Sequence, residues 1–377
     1  MPSLQSLPFE LIQRIADSLC LHCTPLPQRC EWDIPLRQPD WKPRDSLPVS
    51  SHCGCRRHRV YVTEARVHSS ALAALCLTSK RLRDAAARPL YHRPNTSKWW
   101  LLARTLLARP DDLARDVKEL FSPESFVEPE DESHVSPQVR AYLTSLVDAH
   151  VASMPEGYRR EYLRLRAMND KVMSMYDTDK ISLITTLCPN AETIEAVVWF
   201  GDIFCFSAPN SLPRLHTVEL VEGDTEGGIE VTGSLLQLWK AAPNLQVIRG
   251  TSMSQETAGE GRTQPLGVVL DKVKVVEFEN STISAEALAL LLKLCPKLET
   301  FYYSAGDACV GYEQFDPSQA KELLLWHGNS LKKVELDLGR WDCWEEWDMW
   351  EEDDEADAIE AFEERGVEFK IEYKPRF

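Results

Sequence analysis

The chain has 377 residues, 44% of them apolar, enough for a small module and one large domain with an ordinary core. Its net charge of −17 is unevenly divided: residues 1 to 109 carry 17 Lys and Arg against 8 Asp and Glu, and the remaining 268 carry 25 against 51. So acidic a body argues against general nucleic-acid binding, and no segment approaches the roughly 20 apolar residues that span a bilayer.

The first predicted element is a helix over Leu7 to Leu19. Pro8 suits its opening turn, Glu10 sits near the positive end of the helix dipole, and Leu11, Ile15 and Leu19 recur every four residues. A second helical segment runs from Ala71 to Leu82 and on to Pro89-Leu90-Tyr91, with Leu72, Leu75 and Leu82 on one apolar side. Thr78 and Ser79, ahead of a basic turn, are able to break and restart that helix. Three such short helices bury little on their own and are expected to complete their core against a partner.

Between the two segments, at about 20–69, lies an insertion rich in proline and poor in aliphatics. It holds Cys20, His22, Cys23, Cys30, His52, Cys53, Cys55 and His58 within 39 residues. A segment this poor in apolar groups needs another source of order, and a structural zinc in a tetrahedral thiolate and imidazole site would supply it. Cys23, Cys30, Cys53 and Cys55 form the preferred ligand set, with His22, His52 and His58 as substitutes. The spacing matches no common zinc knuckle, so a loop with incidental cysteines stays open as the alternative. The eleven cysteines, odd in number and often set in apolar runs such as Leu75-Cys76-Leu77, suit reduced thiols. With no basic segment and apolar run at the start, the expected location is the cytosol or nucleus.

From about residue 110 one phrase keeps returning: an apolar helix end, a Pro or polar residue, then a short alternating strand. Leu187-Cys188-Pro189-Asn190-Ala191-Glu192-Thr193-Ile194 is nearly repeated as Leu294-Cys295-Pro296-Lys297-Leu298-Glu299-Thr300-Phe301. The equivalent positions are 191, 215, 245, 273, 298 and 331, at spacings of 24, 30, 28, 25 and 33 residues. These scatter around the 20 to 29 of a leucine-rich repeat, one strand and one helix per unit. Helices are predicted over 234–242, 284–295 and 318–326, an earlier copy at 113–120, a closing strand at 367–373, and an insertion at about 121–180. Such units stack into a solenoid with parallel strands on the concave side and helices outside. Strand alternation makes Thr217, Glu219, Val275, Glu277, Thr300, Tyr302, Lys333 and Glu335 candidates for a binding face, or else a merely solvated one.

Near the C-terminus Trp341, Trp344, Trp347 and Trp350 recur every third residue, and 345–364 holds 12 acidic residues and no basic one. This reads either as a cap over the last repeat or as an aromatic and acidic patch for a basic partner, with Trp344 and Trp347 as contacts. A phosphate-binding loop, a nucleophile elbow and a His-Glu-x-x-His helix are all missing, so no enzyme is expected.

The Leu7-Pro8 start, the run Leu77-Thr78-Ser79-Lys80-Arg81-Leu82, the Pro89-Leu90-Tyr91 ending and the repeats behind them resemble F-box proteins of the fungal kind. The resemblance is close over about 40 residues; it departs from the family in the roughly 50 residues that separate the two halves. It implies an α+β or α/β chain: an F-box module over 1–95, then an irregular leucine-rich-repeat domain over 96–377. It also implies that Leu7, Pro8, Leu11, Ile15, Leu19, Leu75 and Leu77 form the surface for the Skp adaptor, or its immediate support. Through that adaptor the chain would join a cullin as the substrate receptor of an SCF-type ubiquitin ligase, its repeats holding a protein target. The rival reading is a ligase-independent scaffold, a zinc-stabilised regulator whose basic insertion touches nucleic acid.

Overall fold

The computed structural model describes residues 4–20, 22–23, 68–122, 134–154, 156, 159–160, 177–198, 204–222, 228–231, 235–255, 268–306, 317–327, 330–338 and 352–372. The chain forms two compact units, Met1–Val139 and Arg140–Phe377. The first therefore extends beyond residue 95 to take in the helices around Trp99 and Leu113. No helix of the described residues is long and apolar enough to cross a membrane.

In the first unit, α1 (Phe9–Ser18) follows a short 3-10 turn, and Pro8 precedes it with extended backbone. The Pro8 carbonyl accepts from the Leu11 and Ile12 N–H groups at 3.1 and 3.2 Å. Helix α2 (68–78) breaks at Ser79, and α3 (Lys80–His92) restarts at once because the Ser79 hydroxyl accepts from Leu82 N–H at 3.3 Å. Helix α1 packs on α3: Ile12 meets Leu82 and Ala85, while Ala16 meets Ala86 and Leu72 of α2. Two arginines fasten the helix ends, Arg81 Nη2 donating to Leu7 O at 2.7 Å and Arg83 Nε to Cys76 O at 2.9 Å. Helices α4 (Trp99–Ala108) and α5 (Leu113–Asp116) and strand β1 (Glu119–Phe121) complete the unit, with Trp99, Ala103 and Leu106 fully buried.

The second unit repeats a strand, a turn and, where described, a helix. Its main strands are β2 (Thr193–Val198), β3 (Thr217–Glu222), β5 (Val247–Thr251), β7 (Val275–Ile283), β8 (Thr300–Ala305), β9 (Lys333–Asp337) and β10 (Glu368–Glu372). They lie side by side in that order, every pair parallel. Short β4 (Ile229–Glu230) and β6 (Met253–Gln255) form a second ladder with the end of β7. The helices are α6 (Pro137–Ser153), α7 (Asp177–Thr186), α8 (Leu236–Ala241), α9 (Ala285–Leu294), α10 (Pro317–His327) and α11 (Glu352–Glu363). Ser284 caps α9 by accepting from Ala287 N–H at 3.2 Å, and α9 packs against α10.

Register is uniform across the sheet: Thr193, Thr217, Val247, Val275, Thr300, Lys333 and Glu368 stand in one row. One backbone device recurs ahead of β3, β5, β7, β8 and β9. The carbonyls of Glu192, His216, Gln246, Lys274 and Glu299 each accept two N–H groups from the next unit, as Lys274 O does from Glu299 and Thr300, both at 2.8 Å. Val218, Ile248, Val276, Phe301 and Val334 fill the core side, each 0% exposed. Gly250 stands in the row of Leu220 and Phe278; a Cβ there would come within 2.3 Å of the buried Met253 Sδ, so the backbone can approach only without a side chain.

Candidate functional site

Three places in the chain gather chemistry, and the first is the outer face of the N-terminal helices. Ile12 and Ala16 occupy the inward side of α1, so Leu11 and Ile15, one residue earlier on the helix, face outward at 43% and 37% exposure. Leu77, at the end of α2, is 83% exposed, and Leu4 and Phe9 add two further exposed apolar side chains. Of the residues expected at the adaptor surface, Pro8, Leu11, Ile15 and Leu77 are thus exposed. Leu7, Leu19 and Leu75 instead pack, half-buried, against the module's own small core.

The second place is the face of the sheet opposite the core. Glu195, Glu219, Arg249, Glu277, Tyr302, Glu335 and Lys370 form a row across seven strands. Thr217, Glu219, Val275, Glu277, Thr300, Tyr302, Lys333 and Glu335 are all half-buried and alternate with the core residues, as strand periodicity required. Arg249 pairs with Glu277, and Lys333 reaches Glu335 at 3.2 Å and Glu368 at 3.8 Å. Burial pushes the Tyr302 phenol up, and the carboxylates of Glu279, Asp337 and Glu335 push it further, so this hydroxyl stays protonated in an acidic setting. Trp344 and Trp347 lie outside the described residues.

The third place is a cluster of sulfur and nitrogen. Cys20, just past α1, and His22 and Cys23 on the turn behind it meet His92, in the last turn of α3. Their potential ligand atoms all lie within 4.8 Å of one another, an arrangement that can hold a metal ion. Cys20 Sγ is 3.4 Å and Cys23 Sγ 3.2 Å from His92 Nδ1, and Cys23 Sγ is 3.9 Å from His22 Nδ1. The His22 and His92 rings stand edge to face at 5.1 Å. Cys20 and His92 are buried, His22 is half-buried and Cys23 exposed. Desolvation, with a smaller contribution from His22, pulls the His92 imidazole down to about 4 and keeps it neutral. Desolvation and then the neighbouring Cys20 push the Cys23 thiol up to about 12.

Of the expected ligands, Cys23 and the substitute His22 are in this cluster, whereas Cys30, Cys53 and Cys55 lie outside the described residues. Cys20 and His92 join it instead. His92 is 72 residues from Cys20 and outside the cysteine-rich stretch, so spacing gave it no signal; the Cys20-Leu21-His22-Cys23 motif was the visible half. Among the described residues Cys20, Cys23, Cys76, Cys188, Cys205 and Cys295 are in the reduced thiol form.

Comparison of the chain with protein-family models, with curated proteins and with solved structures gave no match.

Proposed function

We propose that this protein is the substrate receptor of an SCF-type ubiquitin ligase, with its N-terminal helices docking on the Skp adaptor and its repeats holding a protein target. The observation that carries the reading is the outward Leu11, Ile15 and Leu77, apolar side chains on helices whose opposite sides already hold a core. Leaving such groups in water is unfavourable; covering Leu77, 83% exposed, would gain most of the about 1.5 to 3 kcal/mol of a full burial, and covering Leu11 or Ile15, at 43% and 37%, under about half of it. Their place in a pattern resembling an F-box says which partner. A receptor of this kind supplies no reacting group; it raises the effective concentration of the target near the ubiquitin-carrying enzyme.

The repeat sheet is the proposed target surface, a leucine-rich-repeat-like array presenting Thr217, Glu219, Glu277, Tyr302 and Lys333. The excess of acidic residues after position 109 favours a target with a basic segment, drawn by long-range attraction and held by Tyr302 and the tryptophans Trp344 and Trp347.

The test is recovery of the Skp adaptor and cullin by full-length wild type, Ile15→Asp and Leu77→Asp, with circular dichroism to check folding. Both positions are exposed, so the variants are expected to fold. A charge buried without a partner costs several kcal/mol against about 8 kcal/mol for a micromolar complex, enough to abolish recovery. Equal recovery by all three proteins would overturn the receptor reading and leave the ligase-independent scaffold.

A further inference from the structure

We propose that Cys20, His22, Cys23 and His92 bind one zinc ion in a closed tetrahedral site that ties the end of α1 to the end of α3. This inference stands apart from the receptor reading, since metal content does not depend on what the helices or the repeats bind.

Geometry is the first support. Zinc bonds of about 2.3 Å to sulfur and about 2.0 Å to nitrogen place tetrahedral sulfur and nitrogen ligands about 3.5 Å apart. The separations of 3.4 and 3.2 Å lie close to that edge length and 3.9 Å lies somewhat beyond it, within a cluster spread over no more than 4.8 Å. Thiol to imidazole and thiol to thiol hydrogen bonds account for single contacts; what points to an ion is that four soft donor atoms gather within 4.8 Å of one another. The Cys20 and Cys23 sulfurs both approach the same Nδ1 of His92, as two ligands of one ion held by that nitrogen would. An ion at the centre satisfies all four atoms together.

The donor set selects the ion. Two thiolates and two imidazoles suit zinc, whereas calcium and magnesium require oxygen ligands. With four protein ligands no position is open for water, so the site is structural and not hydrolytic. Binding displaces the protons of the two thiols to solvent and takes both imidazoles neutral. The module gives the ion a purpose: between α1, α2 and α3 the packed core is small, Ile12, Ala16, Leu72, Leu82, Ala85 and Ala86, and three ligands follow α1 while the fourth ends α3. The ion would hold the start of the insertion, at Cys20 to Cys23, against the last turn of α3.

The experiment measures zinc by mass spectrometry in full-length protein expressed with zinc and desalted through a weak chelator. About one zinc per chain is expected for wild type and for Cys53→Ser with Cys55→Ser, and less than about 0.1 for Cys20→Ser with Cys23→Ser. Should that last variant fail to fold, His22→Ala, which removes one half-buried ligand, is expected to weaken zinc at least about 10-fold in competition with a chromophoric chelator. Cobalt(II) in the wild-type protein is expected to show tetrahedral ligand-field bands with thiolate charge transfer. Metal-free wild type, zinc retained by the folded Cys20 and Cys23 variant, unchanged affinity in His22→Ala, or zinc lost from the Cys53 and Cys55 variant would each overturn the proposal.

Discussion

The N-terminal helices and the repeat sheet solve the same problem in opposite ways. Each repeat passes its apolar side to the next, so Val218, Ile248, Val276, Phe301 and Val334 form a continuous buried row and each of their strands has a neighbour on both sides. The helical module has no neighbour of its own kind. It closes a small core around Ile12, Leu82 and Ala86 and leaves Leu11, Ile15 and Leu77 outside. A stacked array can be self-sufficient in its core, whereas three short helices draw on what adjoins them, here α5 on one side and, as proposed, a metal ion and a partner on others.

Truncating one core residue in each region is the sharpest way to break that contrast. Leu82→Ala removes a side chain only 1% exposed and is expected to cost about 2 to 5 kcal/mol, enough to unfold the module as a whole. Phe301→Ala, fully buried, is expected to cost about 3 to 5 kcal/mol but to loosen mainly β7 to β9. Segment-resolved hydrogen exchange reads both. Full protection of α1 in Leu82→Ala, or loss of protection across every strand in Phe301→Ala, would erase the distinction.

A milder comparison uses the two serine caps. Ser79→Ala and Ser284→Ala each remove one hydroxyl that accepts from the N–H three residues on, at 3.3 and 3.2 Å. The Ser79 loss is expected near 1 kcal/mol; Ser284 is only 2% exposed, so its change leaves a buried N–H without a partner and tends toward about 2 kcal/mol. Denaturant midpoints should nevertheless show the larger fractional loss in the helical module. Equal fractional losses would mean that the two regions share one stability reserve.

The smallest effect is one of pH and belongs to the sheet. Lys274 and Lys332 hold Glu299 between them at 2.7 and 2.6 Å, and these pairings keep its carboxyl down at about 2. Its folded pKa lies below the unfolded one, so its contribution is complete above about 4.5 and fades as pH falls toward 2. All three side chains touch solvent, so salt should shrink the effect. Glu299→Gln is expected to flatten the acid side of the unfolding curve slightly; an identical curve would show that the pairs contribute nothing measurable.

Much of the sheet was legible in advance. The positions aligned by phrase, 191, 215, 245, 273, 298 and 331, are all buried, from 0% to 5% exposed, and each stands two residues ahead of a register-matched strand start. Period-2 alternation then assigned the outward residues. The Ser79 break was legible too, because a cap is a local signal. On α1 the recurrence of Leu11, Ile15 and Leu19 stood out, yet Ile12 and Ala16 are what face the module's core; alanine adds little to an apolar pattern, so the inward side was the less visible one. The Cys/His cluster was half legible. Its turn is written in four consecutive residues, whereas His92 reaches it only because α3 packs along α1, and spacing cannot express a contact made by packing.

The paired N–H groups on a single carbonyl ahead of the strands imply a division of freedom along the chain. The turn sets where each strand starts through main-chain bonds that do not depend on the identity of the strand's side chains. Units spaced 24 to 33 residues apart can therefore gain or lose length on the helix side without shifting a strand. The opposite face keeps a fixed lattice of positions, open to change only by substitution, one residue at a time. Such a molecule can acquire a new partner without acquiring a new shape.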